Sequence, residues 1–299
     1  MTTGSRPPLI ILTFPRSFSS VVCAMLGCHP EAFGFPELNL FVADTVGELL
    51  ELQDEQSSAP VNPGADYLAG LLRAVAELFH GGQSAESLES AADWFSEHAN
   101  WSTRDVLDMI LDAVRPRVGI DKSTRTALST VSLCRARSSC PQARYLHLSR
   151  HPIPTIRSLL SVQHRVSGRN VGDAWFYARL WVSVHEIIFN FSADLPVGRV
   201  LNARAEDLLQ NPKDELARIA RWLGLRDDQA AIAAMEHPEN SRFAVVTSSR
   251  LQGDNDPDFL ASPALRRVAP PPPLELPSDW NIDAGTWRDL VELSRRLGY

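Results

Sequence analysis

The chain has 299 residues, 44% hydrophobic and 22% charged, which is the composition of a globular protein and not of a disordered one. Its formal net charge of -7 argues against general nucleic-acid binding, which needs a basic surplus to neutralise phosphates. No apolar run approaches the length of a membrane span, and the N-terminus MTTGSRPP lacks a secretory pattern, so a cytoplasmic enzyme without a membrane span is expected.

In chain order, PLIILTF (8–14) is an apolar run ending at Pro15, which reads as a strand buried on both faces. A helical pattern follows through Val21, Val22, Met25 and Leu26. Further short strands are expected at 118–120, 144–148 and 199–203. Helical segments are expected at about 38–55, 65–80, 84–98, 103–115, 124–137, 152–165 and 172–192. Another helix opens at Asn211-Pro212, and a last one covers about 284–297. Strands alternating with helices predict an α/β fold with a central parallel sheet flanked by helices. The almost wholly helical stretch 38–115 is expected to be a cap on a single domain spanning the chain. Residues 240–280, with four consecutive prolines at 270–273, are expected to be irregular.

The four cysteines, Cys23, Cys28, Cys134 and Cys140, have neither CxxC pairing nor histidines at zinc spacing, and are expected to be reduced thiols. The histidines likewise form no metal-binding cluster, so no metal site is expected. His147 reads as a buried strand residue, while His98 and His164 are minor candidates for lining an acceptor pocket. Lysine occurs only at Lys122 and Lys213, against 27 arginines, which draws attention to Lys122 at the end of the VGID strand.

Two segments carry the chemistry. FPRSFSS (14–20) joins the first strand to the first helix, where free backbone N–H groups and the helix dipole favour an anion. Arg16, Ser17, Ser19 and Ser20 add side-chain donors there, and GxxxxGK[ST] is absent. In LHLSRHPIPTIRSLLS (146–161), Arg150 sits at a strand exit and Ser158 eight residues on, about two helical turns inside. Both can therefore converge on one anion at the same sheet edge.

Together these segments resemble the 5′-phosphosulfate loop and 3′-phosphate motif of the sulfotransferases that use 3′-phosphoadenosine 5′-phosphosulfate (PAPS). VLNARAEDLLQNP (200–212) looks like a further family strand and turn, and GDNDPDFL (253–260) and the terminal LSRRLGY resemble bacterial members of natural-product pathways. The resemblance implies a P-loop-like fold and transfer of a sulfuryl group from PAPS to a small-molecule hydroxyl, leaving adenosine 3′,5′-bisphosphate (PAP). It assigns Arg16, Ser17, Phe18, Ser19, Ser20, Arg150 and Ser158 to donor binding, with Arg250 a supplement at the 3′-phosphate. Glu37, 21 residues after Arg16, and Lys122 resemble the base and the cation of tyrosylprotein sulfotransferases, making Glu37, Arg16 and Lys122 the expected catalytic set. Phe18 departs from the family, which usually has glycine there. Its side chain obstructs both positive φ and close approach of a ligand to the backbone. A metal-dependent P-loop phosphotransferase, with Asp121 as a magnesium ligand, and a non-catalytic nucleotide-binding protein are the competing readings.

Overall fold

The computed structural model describes residues 6–58, 66–167, 172–245 and 256–299. Strand β1 (Leu9–Thr13) is buried along its whole length and stands at the centre of a five-stranded parallel sheet. The order is β2 (Ala32–Gly34), β3 (Val118–Asp121), β1, β4 (Arg144–Ser149), β5 (Val200–Arg204). Leu9 stands opposite Ile120 on one side and Arg144 on the other, and Ser149 opposite Arg204.

Successive β1 side chains point to opposite faces, which divides the interior into two apolar layers. Ile10 and Leu12 pack in one layer with Val75, Phe95, Ile110 and Trp181. Leu9 and Ile11 pack in the other with Val22, Met25, Leu208 and Ile219. Because both faces are covered, the central strand β1 is an apolar run buried along its length and lacks strict alternation.

The stretch after β2 is helical, with α2 at Val46–Ser58, α3 at Ala69–Phe79, α4 at Ala85–Glu97 and α5 at Thr103–Val114, preceded by α1 at Ser19–Gly27. The helix expected from residue 38 begins eight residues later: Asn39 takes φ 52° and a single 3₁₀ turn, Leu40–Val42, comes first. Likewise the segment from 124 opens as a 3₁₀ turn, Thr124–Leu128, before α6 (Thr130–Ser139). Helices α7 (Pro152–Ser167) and α8 (Ala174–Ala193) follow β4. After β5 come α9 (Ala205–Gln210), α10 (Pro212–Leu223), α11 (Gln229–Met235), α12 (Pro257–Ala261) and α13 (Ala284–Arg296).

β2 is the strand the sequence concealed. It is three residues long, and its Gly34 lies against α1 so closely that a Cβ would stand 2.7 Å from the Cys23 carbonyl oxygen. All four cysteines are free thiols. Among the described residues, no helix is long and apolar enough to cross a membrane.

Candidate active site

The β1–α1 connection turns at the C-terminal edge of the sheet, with Arg16 at φ 66° and Phe18 at φ 61°. Phe18 thus adopts the left-handed conformation that glycine takes freely, at a cost of about 1–2 kcal/mol for an L-residue with a side chain. Its ring lies 4.0 Å from the Arg150 guanidinium, in cation–π geometry. The phenylalanine therefore keeps the glycine-like turn and adds an aromatic shelf beneath a cation. Helix α1 has no side-chain cap and no acidic residue in its first turn, so its first amides remain available to an anion. Ser17 is fully buried, and its Oγ has no hydrogen-bond partner, as a donor awaiting an acceptor would be.

Arg16, Arg150 and Ser158 form one cluster. Arg150 donates from Nη1 to the Arg16 carbonyl oxygen at 2.6 Å, and Arg16 donates from Nε to Ser158 Oγ at 3.0 Å. The Arg150 Nε is buried without a partner, and burial lowers this guanidinium from its ordinary value, opposed by the charge of Glu206. Sequence reasoning missed what holds this turn. Glu206, itself buried, accepts from the His151 amide at 2.8 Å and from the Tyr299 hydroxyl at 2.9 Å. Tyr299 also reaches Ser149 Oγ at 3.2 Å, so it buttresses the strand exit that carries Arg150. The available signal was the pair of segments VLNARAEDLLQNP and LSRRLGY, which resemble the family but carry no assigned residue role.

Glu37 and Lys122 meet. Lys122 Nζ lies 3.2 Å from Glu37 Oε1 and 3.3 Å from Ser20 Oγ, with the lysine side chain 1% and the glutamate 17% exposed. One buried ammonium therefore links the anion-binding loop to a carboxylate that solvent or a ligand can still reach. The backbone beside Glu37 is fixed by β3 and its exit: the Leu38 amide donates to Asp121 Oδ1 at 3.4 Å and the Asn39 amide to Ser123 Oγ at 2.8 Å. Asp121 also accepts from the Ser123 hydroxyl at 2.7 Å, and burial pushes its carboxyl up to about 6. These bonds make Asp121 a structural anchor for the Glu37 segment.

Two acidic residues not anticipated at the loop reach it from the start of α12, Asp256 as its N-cap and Asp258 in its first turn. Arg16 Nη1 is 2.7 Å from Asp256 Oδ1, and Arg16 Nη2 is 2.9 Å from Asp258 Oδ2. Beside them is a cavity of about 300 Å³, lined by Phe18, Val21, Leu209, Phe259 and Val268 among others. Arg250 lies outside the described residues, as does the side chain of His164. His98 turns into the helical lobe, with Nδ1 on the Trp94 carbonyl oxygen at 2.7 Å and its ring stacked on Trp94.

The sequence profile described as the Sulfotransferase family matches residues 7–229. No curated protein matches. Among solved structures, the chain is similar to the sulfotransferase domain from the curacin biosynthetic pathway, at 21% identity and a TM-score of 0.76, covering 97% of this chain and 99% of that one. It is also similar to the sulfotransferase domain of the Synechococcus PCC 7002 olefin synthase, at 23% identity and a TM-score of 0.71, covering 99% and 97%. These two likenesses are of fold, and the profile, which spans most of the chain together with the loop and both strand exits above, is of family: this protein belongs to the sulfotransferase family.

Proposed function

We propose that the chain transfers a sulfuryl group from PAPS to a hydroxyl of a small molecule in the cytoplasm. The observation that carries this reading is the position of Lys122, in contact with both the loop serine Ser20 and the carboxylate of Glu37. A donor held by the loop and an acceptor held by the carboxylate would meet at that ammonium.

In this reading the amides of the α1 first turn, with Arg16, Ser17, Ser19 and Ser20, take the 5′-phosphosulfate. Arg150 and Ser158 take the 3′-phosphate, and Phe18 supports Arg150 from below. The cavity between Phe18, Val21 and Phe259 accommodates the adenosine. Sulfuryl transfer requires in-line geometry and neutralisation of charge on the leaving oxygen. The acceptor oxygen forms a bond to sulfur as the bond from sulfur to the phosphate oxygen breaks. Arg16 and Lys122 neutralise the charge that develops on the departing 5′-phosphate. Glu37 accepts the hydroxyl proton, and PAP leaves. The likeness to sulfotransferase domains from a curacin biosynthetic pathway and an olefin synthase supports an acceptor of natural-product type.

The test is direct. PAP should raise the melting temperature, and ATP with Mg²⁺ should raise it much less. Labelled PAPS should deliver its label to a small-molecule hydroxyl. Stabilisation by ATP–Mg²⁺ alone, with phosphate and not sulfate transferred, would establish the phosphotransferase reading instead.

A further inference from the structure

We infer that Asp256 and Asp258 form an internal anion seated on the loop arginine, which the donor must displace in order to bind. The inference rests on the donor reading given above and concerns the regulation of that same site.

Arg16 has a side chain only 14% exposed, and two carboxylates occupy its two terminal nitrogens at 2.7 and 2.9 Å. With Nε on Ser158, every nitrogen of the guanidinium has a partner. The backbone is committed too, since the Asp256 amide donates to Ser20 Oγ at 3.1 Å, the hydroxyl that also meets Lys122. A phosphosulfate entering the loop presents acceptors to the same nitrogens that the carboxylates hold. Anionic oxygens of both kinds repel one another and compete for one set of donors. The cavity beside the loop strengthens the case, because Asp256, Asp258 and Phe259 line it together with Phe18 and Val21. A ligand whose charged end reaches Arg16 therefore lies against the segment that carries the carboxylates. Exchange of the anion and adjustment of the α12 wall become a single event, and the unliganded loop is kept neutralised until a polyanion arrives.

The experiment measures binding of PAP, and separately of inorganic pyrophosphate, by calorimetry to the parent chain, to Asp258→Asn and to Asp256→Asn/Asp258→Asn. Melting temperature without ligand is read in parallel. Removing the competing charge should tighten both probes, by about tenfold in the double variant and less in the single one, while the unliganded melting temperature falls. Asp258 is 57% exposed, so the single variant folds even if the pair does not. Unchanged or weaker binding of both probes would overturn the inference, showing that the aspartates hold the loop for the donor or are idle. Pyrophosphate binding that tightens in a chain indifferent to PAP would uphold the internal anion and overturn the donor reading. PAP bound equally by all three proteins would do the reverse.

Discussion

Gly70, in the first turn of α3, lies against the backbone of Glu37. A Cβ there would stand 2.9 Å from the Glu37 amide nitrogen and closer still to its carbonyl oxygen. The helical lobe thus presses main chain on main chain at the residue proposed as the base. Gly70→Ala is expected to force Glu37 away from Lys122. Alanine inside a helix ordinarily stabilises by about 0.5–1 kcal/mol relative to glycine. Here the clash should reverse the sign and cost about 1–3 kcal/mol. Thermal melting, PAP affinity and turnover on one preparation check it: stability and turnover fall while PAP affinity holds. A variant as stable and active as the parent would show that this contact positions nothing.

Arg150 is expected to read the 3′-phosphate. Arg150→Ala should weaken PAP by about 1.5–3 kcal/mol, the worth of hydrogen bonds to a charged group. Adenosine 5′-phosphosulfate, which lacks that phosphate, should be affected much less. Calorimetry on the two ligands decides it, and equal weakening of both would reject the assignment.

Turnover is expected to be independent of divalent metal, because fixed cations at Arg16 and Lys122 supply the neutralisation. Activity measured before and after excess EDTA should be the same. Loss of activity restored only by Mg²⁺ would favour phosphoryl-type chemistry.

Acid should destabilise the chain through a buried histidine pair. His147 Nε2 and His185 Nδ1 are 2.8 Å apart between β4 and α8. Burial pushes His147 down to about 4 and His185 well below its ordinary value. In the unfolded chain both protonate near pH 6.5, so their neutral forms stabilise the fold above that pH, and the contribution is lost as pH falls toward about 4. Each should then contribute up to about 1.4 kcal/mol of lost stability per pH unit. Urea midpoints measured between about pH 7 and pH 5 should fall, and fall less steeply in His147→Leu/His185→Leu. Parallel slopes would contradict the account.

The sequence made the sheet centre legible because LIILT is an apolar run and RYLHLS a short strand-like segment, each closed by turn residues, and it made the anion-binding loop legible because strand, arginine, serines and helix follow one another directly. β2 was not legible: three residues with a glycine carry no period, and they become a strand only by pairing with β3 and packing on α1. Phe18 looked incompatible with the loop because a residue's own preference was visible, while the Arg150 guanidinium above its ring, brought from the exit of the neighbouring strand β4, was not. Asp256, Asp258 and Tyr299 reach the site through tertiary contacts across most of the chain. In the sequence they stood only within segments that resemble the family, with no contact to the loop legible. The meeting of Glu37 and Lys122, 85 residues apart, was expected only from family spacing, and the structure brings the two together at 3.2 Å.

The central claim is that Glu37 takes the acceptor's proton, and Glu37→Gln tests it most directly. The amide keeps the shape and removes the proton acceptor, so folding and PAP affinity should persist. Turnover on an aliphatic alcohol should fall by about 10²–10⁴-fold, the usual contribution of a general base. An acidic phenol, which loses its proton unaided, should suffer less. A variant that folds, binds PAP and sulfates the aliphatic acceptor at the parent rate would contradict the account, and Glu37 would not be the base.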